Sequence, residues 1–591
     1  MRRLLALWLL LILVSPAQAE APSLPWQKWD SALFDRAARE HKYILLHMAA
    51  VWCHWCHVME DTTYRDPEIQ KVILDRFIPV RVDQDADPEL SYRYENWGWP
   101  ATIMFDQDGN EILKRQGYIP PELFKKLLAA VIDDPSALPT LNVGVTVDPN
   151  AVALSPARRA KIETMMLTAY DKEHGGFGAN QYFIQGDTIE WALERSRPLK
   201  RNTDADTWHE VAARTLEGAR RLIDPVWGGM FQYSDKMDWS SPHYEKLLNI
   251  QRDGIRAYIR AYEIGHDPAD LAAARDIGRW LMDFMRDPDG GFYTSQDADA
   301  GTLHGSDFYA RTDAERRAGP QPPIDRHLYA RENGWAVASL AELYDVAGDP
   351  ALLDAATRAF DWTLAHRRAP NGGFGHARAA DDDTHLGDTL AMAEAAMALY
   401  RSTAERRYLA LAAELGEVIA RDHRDPSAGY WVRRPEPGAK GVLAKPVKQI
   451  DENVAATRLF NLLARNTGKT AFRAYAEHGM RYLIALAEDD LVVPGTLLAD
   501  RELGREPAHV TVVGAKDDPA AQVLYAAART YPTRYLRIEW LDRREGPLPA
   551  ADIDYPELPQ AAAFACANGA CSLPVFTPTE IAGIVGRVDD R

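Results

Sequence analysis

The chain has 591 residues and a formal net charge of −18 at pH 7, from 86 acidic and 68 basic side chains. This length predicts more than one domain, and an acidic chain with no basic block is a poor binder of nucleic acid. The four cysteines form two close pairs, Cys53/Cys56 and Cys566/Cys571, which are too few for a scaffold built on disulfides.

The amino-terminal segment has the pattern of a secretory signal peptide. Arg2 and Arg3 precede an apolar run that ends at Val14 and is short for a membrane span. Ala17 and Ala19 frame a small-residue cleavage site. We therefore expect residues 1–19 to be removed and the protein to be periplasmic or secreted. The sequence has no later apolar run of transmembrane length, so we expect no membrane span after cleavage.

Residues 20–140 predict a thioredoxin-like α/β domain. The predicted elements are a helix over Trp26–Glu40, a strand over Tyr43–Met48, a helix capped by Asp66, a strand over Phe77–Val82, a hairpin of Ala101–Phe105 with Glu111–Gln116, and a helix over Pro121–Ile132. The segment WCHWCH at positions 52–57 directly follows the first strand, at a strand-to-helix junction. The order β-α-β-α-β-β-α, with a dithiol after an early strand, is typical of thioredoxins.

This position predicts the chemistry of the dithiol. A cysteine at a helix N-terminus meets free backbone N–H groups and the positive end of the helix dipole, which both favour the thiolate. We expect Cys53 to be the exposed nucleophile and Cys56 the buried resolving thiol, with positive charge added by His54. Pro100 follows Trp99 just before the third strand, where we predict a cis peptide bond.

The spacing of the motif is also compatible with three other interpretations. C-x-x-C-H also attaches c-type haem, with His57 as the axial ligand, but haem needs a second ligand and an enclosing pocket. A zinc site made of Cys53, Cys56 and His57 lacks an identifiable fourth ligand. The third alternative is a purely structural disulfide. We predict neither a metal nor a cofactor.

Residues 150–505 predict an all-α toroid. Helix pairs repeat with a tight turn inside each pair, as in the Gly265–Pro268 and Gly348–Pro350 turns. Gly ends one helix, Asp caps the next and Pro takes its first position. A Gly-Gly-aromatic loop, such as Gly290–Tyr293 or Gly372–Gly375, follows the second helix. Five or six such pairs suit closure into an α/α ring with these loops around one mouth.

Residues 506–591 predict a small α/β extension. Strands over Ala508–Val513 and Tyr535–Trp540 flank a helix over Asp518–Tyr531. Two interpretations of the Cys566/Cys571 pair stay open. It is either a mobile second dithiol that exchanges with the first, or a local disulfide that closes a loop.

Several polar residues of the toroid are candidates for a ligand site. His243 and Glu245 are predicted at a helix start, Asp297 and Asp299 follow a Gly-Gly loop, and Asp388 precedes a helix. Carboxylates and a histidine at a mouth suit acid–base work on a sugar. The structural alternatives are helix caps, dipole complements and loop hydrogen bonds. Two further histidines, His376 and His423, show no partner and are predicted as surface or loop residues.

The motifs together resemble the spermatogenesis-associated protein 20 family. The resemblance rests on "WCHWCHVME", "GWPATIMF", "SPHYEK", "GGFYTSQDADA" and "ACANGACSLP", in the family's order. It implies a thioredoxin-like domain fused to a six-hairpin toroid, which is similar to N-acylglucosamine 2-epimerases and six-hairpin glycosidases. It implies no established reaction. Residues 450–454 and 301–326 depart from the family's pattern, so we assign no site residues within these two segments.

Three functional hypotheses follow. The first is an exported thiol–disulfide oxidoreductase that acts through Cys53 and Cys56 on protein thiols or disulfides, with His54 and Pro100 shaping the site. The second is a sugar epimerase or glycosidase-like enzyme with a regulatory thioredoxin domain. The third is a non-catalytic module that binds a protein or a glycan.

Overall fold

The computed structural model describes residues 23–30, 32–138, 145–197, 204–379, 384–489, 491–567 and 570–589. The predicted signal peptide lies outside these residues. Within the described ranges, none of the helices combines the length and the apolar character that a bilayer span requires.

The amino-terminal domain has the predicted thioredoxin-like arrangement. Its elements are α1 (Ala32–Glu40), β1 (Tyr43–Ala49), α2 (His54–Asp61), α3 (Pro67–Arg76), β2 (Phe77–Asp83), α4 (Pro88–Tyr94), β3 (Ala101–Phe105), β4 (Glu111–Gln116) and α5 (Pro121–Asp133). The strand order is β2-β1-β3-β4, with β1 parallel to β2 and antiparallel to β3. Because the sheet carries apolar clusters on both faces, β1 is buried almost throughout.

Two details differ from the prediction. The first helix begins at Ala32 rather than Trp26, because the Gln27 backbone N–H is bonded to the Pro79 carbonyl at the edge of β2. The short helix α4 was not predicted, although Asp87 caps it and Pro88 takes its first position. Tyr92 of this helix faces the toroid.

The helices and short strands that follow belong to the toroid. They are α6 (Pro156–Ala169), α7 (Gly186–Ser196), α8 (Ala205–Ala219), β5 (Tyr233–Ser234), β6 (Pro242–His243), β7 (Lys246–Leu247), α9 (Leu248–Gly265), α10 (Pro268–Phe284), β8 (Ser295–Gln296), α11 (Gly305–Tyr309), α12 (Asp313–Arg317), β9 (Ile324–Asp325), α13 (Ala330–Ala347), α14 (Pro350–Arg367), α15 (Leu386–Thr403), α16 (Arg406–Asp422), α17 (Ile450–Thr467), α18 (Thr470–Glu488) and α19 (Pro494–Leu503).

Six of these helices close an inner ring. Each of α7, α9, α13, α15, α17 and α19 contacts the next, and α19 returns to α7. Outer helices α8, α10, α14, α16 and α18 pack behind their partners, and α6 packs against α18. The predicted six-hairpin closure is therefore confirmed.

The tight turns between paired helices work largely as expected. Gly348 ends α13 in the left-handed conformation with φ 70°, and Asp349 then caps α14 by accepting from the Ala351 N–H. In the first such turn the left-handed residue is His266, with φ 55°, rather than the preceding glycine. Asp267 still caps α10, so the geometry of the turn is kept.

The carboxy-terminal unit has its own four-stranded sheet. It consists of β10 (Ala508–Val513), α20 (Pro519–Arg529), β11 (Leu536–Leu541), β12 (Ala562–Ala567), β13 (Ala570–Cys571) and α21 (Pro578–Asp589). The strand order β11-β10-β12-β13, with β10 parallel to β11 and antiparallel to β12, repeats the connectivity of the amino-terminal sheet. The first two strands and their helix were predicted, whereas β12 and β13 were not.

The two α/β units lie at opposite ends of the ring. The amino-terminal domain meets the loops between hairpins, where His54 contacts Asp299. The carboxy-terminal unit meets the tight turns, where Lys516 Nζ donates to the Ala404 carbonyl. The disulfide Cys566–Cys571 joins β12 to β13 at directly opposed positions. Exchange of this pair with Cys53/Cys56 stays a prediction, and the structure shows the pair as a local disulfide within the carboxy-terminal sheet.

Candidate dithiol site and axial cavity

The dithiol lies where the sequence predicts it, at the start of α2. Cys53 is the N-cap residue, and its Sγ accepts a hydrogen bond from the Cys56 backbone N–H at 3.2 Å. The two cysteines form a disulfide with a Cα–Cα distance of 5.3 Å. The neighbouring Trp99–Pro100 peptide bond is cis, as expected.

The prediction that Cys53 is exposed is wrong. Its relative exposure is 4%, and that of Cys56 is 0%. Both cysteines and Trp52 belong to the large apolar cluster of the toroid, and Trp99 packs against the same cluster. The dithiol face of the thioredoxin-like domain is thus the face that docks on the ring.

Four of the predicted toroid residues gather beside the dithiol. Asp299 Oδ2 lies 2.6 Å from His54 Nδ1, and Asp297 Oδ2 lies 3.9 Å from His57 Nδ1. His304 reaches the other oxygen of Asp299 at 3.9 Å. We call His54, His57, His243, Glu245, Asp297, Asp299 and His304 the His–Asp cluster. The two histidines of the CHWCH motif therefore meet carboxylates of the toroid.

His243 and Glu245 occupy the outer part of this cluster. They were predicted at a helix start, but His243 ends β6 and the helix begins only at Leu248, because the chain first forms short strand pairs. His243 Nε2 lies 2.7 Å from Asp235, and Nδ1 lies 3.7 Å from Glu245. Burial opposes protonation of His243, but the two carboxylates outweigh it and raise its pKa.

Asp297 carries the strongest electrostatic perturbation in the cluster. Its side chain is nearly buried, and burial together with the charges of Asp299 and Glu245 raises its pKa to about 7. Two backbone N–H groups, those of Asp299 and Ala298, partly offset this effect. A carboxyl group that titrates near neutrality close to a dithiol is suited to proton exchange.

Asp388 lies apart from the cluster and is a positioning residue. It is buried in the first turn of α15, accepts from the Arg331 N–H at 2.9 Å and lies 2.8 Å from His376 Nδ1. The other nitrogen of His376 lies 2.6 Å from the Asp85 carbonyl of the thioredoxin-like domain. The surface prediction for His376 is wrong, because this histidine bridges the two domains.

His423 is also buried rather than exposed. Its relative exposure is 1%, and its Nδ1 faces the Trp431 carbonyl at 3.2 Å. Burial lowers its pKa to about 4. The sequence carries no signal for this burial, because it depends on a loop that folds back over α16.

A cavity of about 790 Å³ runs along the axis of the ring. Inner helices line its wall, and the two α/β units contribute to its ends. The residues of the amino-terminal domain at one end are Trp52, Gln84, Asp85, Ser91, Tyr92, Glu95 and Trp99, and those of the carboxy-terminal unit at the other end are Arg534, Tyr535, Leu536 and Ile538. The predicted ligand residues His243, Glu245, Asp297, Asp299 and Asp388 are not part of its lining.

The wall of the axial cavity is rich in paired charges. Arg458 contacts Glu190 at 2.5 Å and Glu502 at 2.8 Å. Two guanidinium groups lie near the Trp335 ring, those of Arg252 at 4.6 Å and Arg331 at 4.9 Å from its centroid. Such a wall offers hydrogen bonds and an aromatic face to a polar ligand.

Two acids of the wall titrate near neutrality. Burial raises the pKa of Asp187 to about 7, against the opposing charge of Arg458. Burial also raises the pKa of Glu452 to about 7, and Tyr92 O–H donates to this carboxyl at 2.9 Å. Sequence reasoning missed the whole wall. The available signal was Arg252, Arg256 and Arg260, spaced four residues apart along one predicted helix.

The end of the cavity formed by the amino-terminal domain also holds a buried acid near the dithiol. Asp85 accepts a hydrogen bond from Trp52 Nε1 at 2.9 Å. Burial raises the pKa of Asp85 to about 8, with further contributions from Asp83 and Glu332. The Trp52 side chain, which precedes Cys53 in the sequence, therefore donates a hydrogen bond to a carboxyl group that keeps its proton at neutral pH.

The comparisons with known proteins agree with this architecture. A family model described as "Protein of unknown function, DUF255" and labelled Thioredox_DsbH matches residues 16–133. A thioredoxin of Mycoplasmoides gallisepticum is 32% identical over 101 residues, which cover 17% of this chain and 94% of that protein. The chain belongs to the thioredoxin family.

Longer proteins are also similar to this chain. Spermatogenesis-associated protein 20 of Mus musculus is 25% identical over 309 residues, which cover 46% of this chain and 39% of the mouse protein. The predicted resemblance to that family is thereby confirmed, and the match spans 39% of the length of the mouse protein. The cellobiose 2-epimerase of Bacillus thermoamylovorans is a similar solved structure, with a TM-score of 0.43, 12% identity, and coverage of 55% of this chain and 86% of that one.

Proposed function

We propose that the protein is a thiol–disulfide oxidoreductase that works through Cys53 and Cys56. The observation that carries this proposal is the position of Cys53 as the N-cap of α2, with its Sγ facing the Cys56 N–H. After reduction, this N–H group and the helix dipole favour the Cys53 thiolate. The membership of the thioredoxin family supports the same chemistry.

The proposed reaction balances without a cofactor. A substrate thiolate attacks Cys53 Sγ, the Cys53–Cys56 bond breaks, and the Cys56 thiolate leaves. A second substrate thiol then attacks the mixed disulfide and releases Cys53. Two electrons pass from the substrate to the pair, and the substrate becomes a disulfide. The reverse sequence reduces a substrate disulfide, and the potential of the pair decides which direction prevails.

Access to Cys53 is the distinctive property of the proposed enzyme. Because Cys53 is 4% exposed beneath the ring, a protein substrate must first separate the two domains. Polar contacts oppose that separation: His54 with Asp299, Tyr92 with Arg331 and Glu452, and Arg93 with two carbonyls. We infer that protein thiols or disulfides are partners whose reaction is gated by the toroid.

A disulfide-exchange assay tests this proposal. The oxidised protein is mixed with a reduced peptide that holds two cysteines, and formation of the peptide disulfide is followed by mass spectrometry. The Cys53→Ser variant is expected to lose the reaction completely. The Cys566→Ser/Cys571→Ser double variant is the matched control and is expected to keep it. A Cys53→Ser variant that still oxidises the peptide, or a wild-type protein that never does, would sink the oxidoreductase proposal.

The axial cavity favours a second candidate function, the binding of a saccharide. Paired charges, the Trp335 ring and two near-neutral carboxyls suit a polyhydroxylated ligand. Calorimetric titration of the protein with a panel of mono- and disaccharides tests this candidate, with Trp335→Ala as the site variant. An absence of saturable heat for the whole panel would reject it.

Export stays a proposal that rests on the amino-terminal sequence. An oxidising compartment would supply thiol substrates and would keep both cysteine pairs oxidised. Expression of the full chain, followed by cell fractionation and amino-terminal sequencing, tests it. Cleavage after Ala19 is the expected result, and retention of residues 1–19 would contradict it.

A further inference from the structure

Three metal-binding side chains converge at the junction of the two domains. His54 comes from the thioredoxin-like domain, whereas Asp299 and His304 come from one loop of the toroid. One ligand atom from each lies within 4.8 Å of the other two. Two imidazoles thus approach the two oxygens of one carboxylate, at 2.6 Å and 3.9 Å.

The carboxylate of this trio is fixed by the backbone around it. Asp299 Oδ1 accepts from the Gly305 N–H at 2.9 Å, and the Asp299 N–H donates to Asp297 Oδ1 at 3.1 Å. Hydrogen bonds of this kind orient ligands in metal sites. His304 is 70% exposed, so its ring can swing the remaining distance without disturbing the core.

The carboxylates around these three side chains carry negative charge that the neighbouring groups do not fully neutralise. Glu245 is nearly buried, and its Oε2 atom accepts no hydrogen bond within the described residues. A cation beside Asp299 would offset this negative charge, and the carboxylate oxygens of Asp299 contact the imidazoles of His54 and His304 and the Gly305 N–H.

We propose that His54, Asp299 and His304 bind a divalent transition-metal ion of the Zn²⁺ class. Two imidazoles and one carboxylate form a set that suits Zn²⁺, whereas Ca²⁺ and Mg²⁺ prefer oxygen ligands throughout. Three protein ligands leave a coordination position to water. For tetrahedral Zn²⁺, neighbouring ligand atoms lie roughly 3.3 Å apart. The trio reaches this spacing if His304 moves inward and the 2.6 Å contact between His54 and Asp299 lengthens.

The proposed ion would connect the redox motif to the toroid. His54 lies between the two cysteines, so the metal would hold the dithiol face onto the ring. It would also place its charge beside Cys53. The sequence missed this site because His304 belongs to the divergent segment 301–326, and because the partners of His54 are more than 240 positions away.

Metal titration of the oxidised full chain tests the proposal. Both disulfides are kept intact, so that no thiol competes, and bound metal is first removed with a chelator. Co²⁺ is added as a spectroscopic probe, and Zn²⁺ affinity is then measured by competition with a chromophoric chelator. The variants are His304→Ala, Asp299→Asn and His54→Ala, and His209→Ala is the matched control because His209 is an exposed histidine of α8.

The proposal predicts one Zn²⁺ per chain and a visible Co²⁺ absorption band of tetrahedral type. Each site variant should weaken binding by about tenfold or more, and His209→Ala should leave it unchanged. No saturable binding at micromolar Zn²⁺, or equal affinity in His304→Ala and the wild type, would overturn it. These measurements use the oxidised protein, so they do not depend on the proposed exchange reaction.

Discussion

Tyr92→Phe offers a direct test of the covered dithiol. Tyr92 O–H donates to Glu452 Oε1 at 2.9 Å and accepts from Arg331 Nη1 at 2.8 Å, and both partners belong to the toroid. Removal of the hydroxyl deletes both interdomain hydrogen bonds but leaves the ring in place. The variant thereby weakens the docking of the two domains and does not touch the cysteines.

The structure gives the magnitude. A hydrogen bond to a charged group contributes about 1.5–3 kcal/mol, and the high pKa of Glu452 reduces one of the two, so we take about 2 kcal/mol in total. This free energy corresponds to about a 30-fold shift in the equilibrium between docked and separated domains. Reactions of Cys53 that need separation should accelerate by up to that factor.

The assay is stopped-flow reduction of the Cys53–Cys56 disulfide by a reduced protein dithiol. Tyr92→Phe is expected to react about 10- to 30-fold faster than the wild type. Tyr43→Phe is the matched control, because the Tyr43 ring packs on Phe77 inside the thioredoxin-like domain. Hydrogen exchange over α2 should rise in parallel. An unchanged rate in Tyr92→Phe would refute the reasoning that the toroid limits access.

Three further outcomes are expected. Burial raises the pKa of Glu452 to about 7, so the contribution of this carboxyl group to folding stability falls as the pH rises from about 4 to 7. Glu452→Gln should therefore raise the free energy of unfolding by about 3 kcal/mol at pH 8 and leave it unchanged at pH 4, as measured by urea denaturation. Asp224→Asn should lower the free energy of unfolding by about 3–5 kcal/mol in the same assay, because it leaves the fully buried cations of Lys246 and Arg316 without their carboxylate. A loss below about 1 kcal/mol would contradict this. Cys566→Ser/Cys571→Ser should cost about 2 kcal/mol and leave the potential of the first pair unchanged, so a shifted potential would show that the pairs communicate.

Local signals account for most of what the sequence predicts. The turn around Asp267 and Pro268 places the αα-turn between α9 and α10, because a cap and a first-position proline act within one turn of helix. Cys53 is the N-cap of α2 for a similarly local reason, since a buried strand ends just before it. The strand β12 was missed because its sequence, AAFACA, is rich in alanine and carries little strand preference.

The site depends on contacts that no local pattern contains. His54 meets Asp299 across more than 240 positions of sequence, and His376 meets the Asp85 carbonyl across more than 290. Burial of Cys53 follows from the docking of one domain on another, which requires the complete ring. The arginines of α9 face the axial cavity because the ring is closed, whereas in an isolated hairpin the same stripe would indicate a solvated face.

The reduction potential of the Cys53/Cys56 pair decides whether this pair exchanges electrons with a substrate or is a structural disulfide. Equilibration of the protein in redox buffers, followed by thiol trapping and mass analysis, gives the potential of each pair separately. For an oxidoreductase we expect a reversible two-electron couple for Cys53/Cys56 between about −270 and −120 mV, the range of known exchange proteins. A pair that stays oxidised below about −300 mV, and that yields thiols only after unfolding, would be a structural disulfide and would rule out thiol–disulfide exchange.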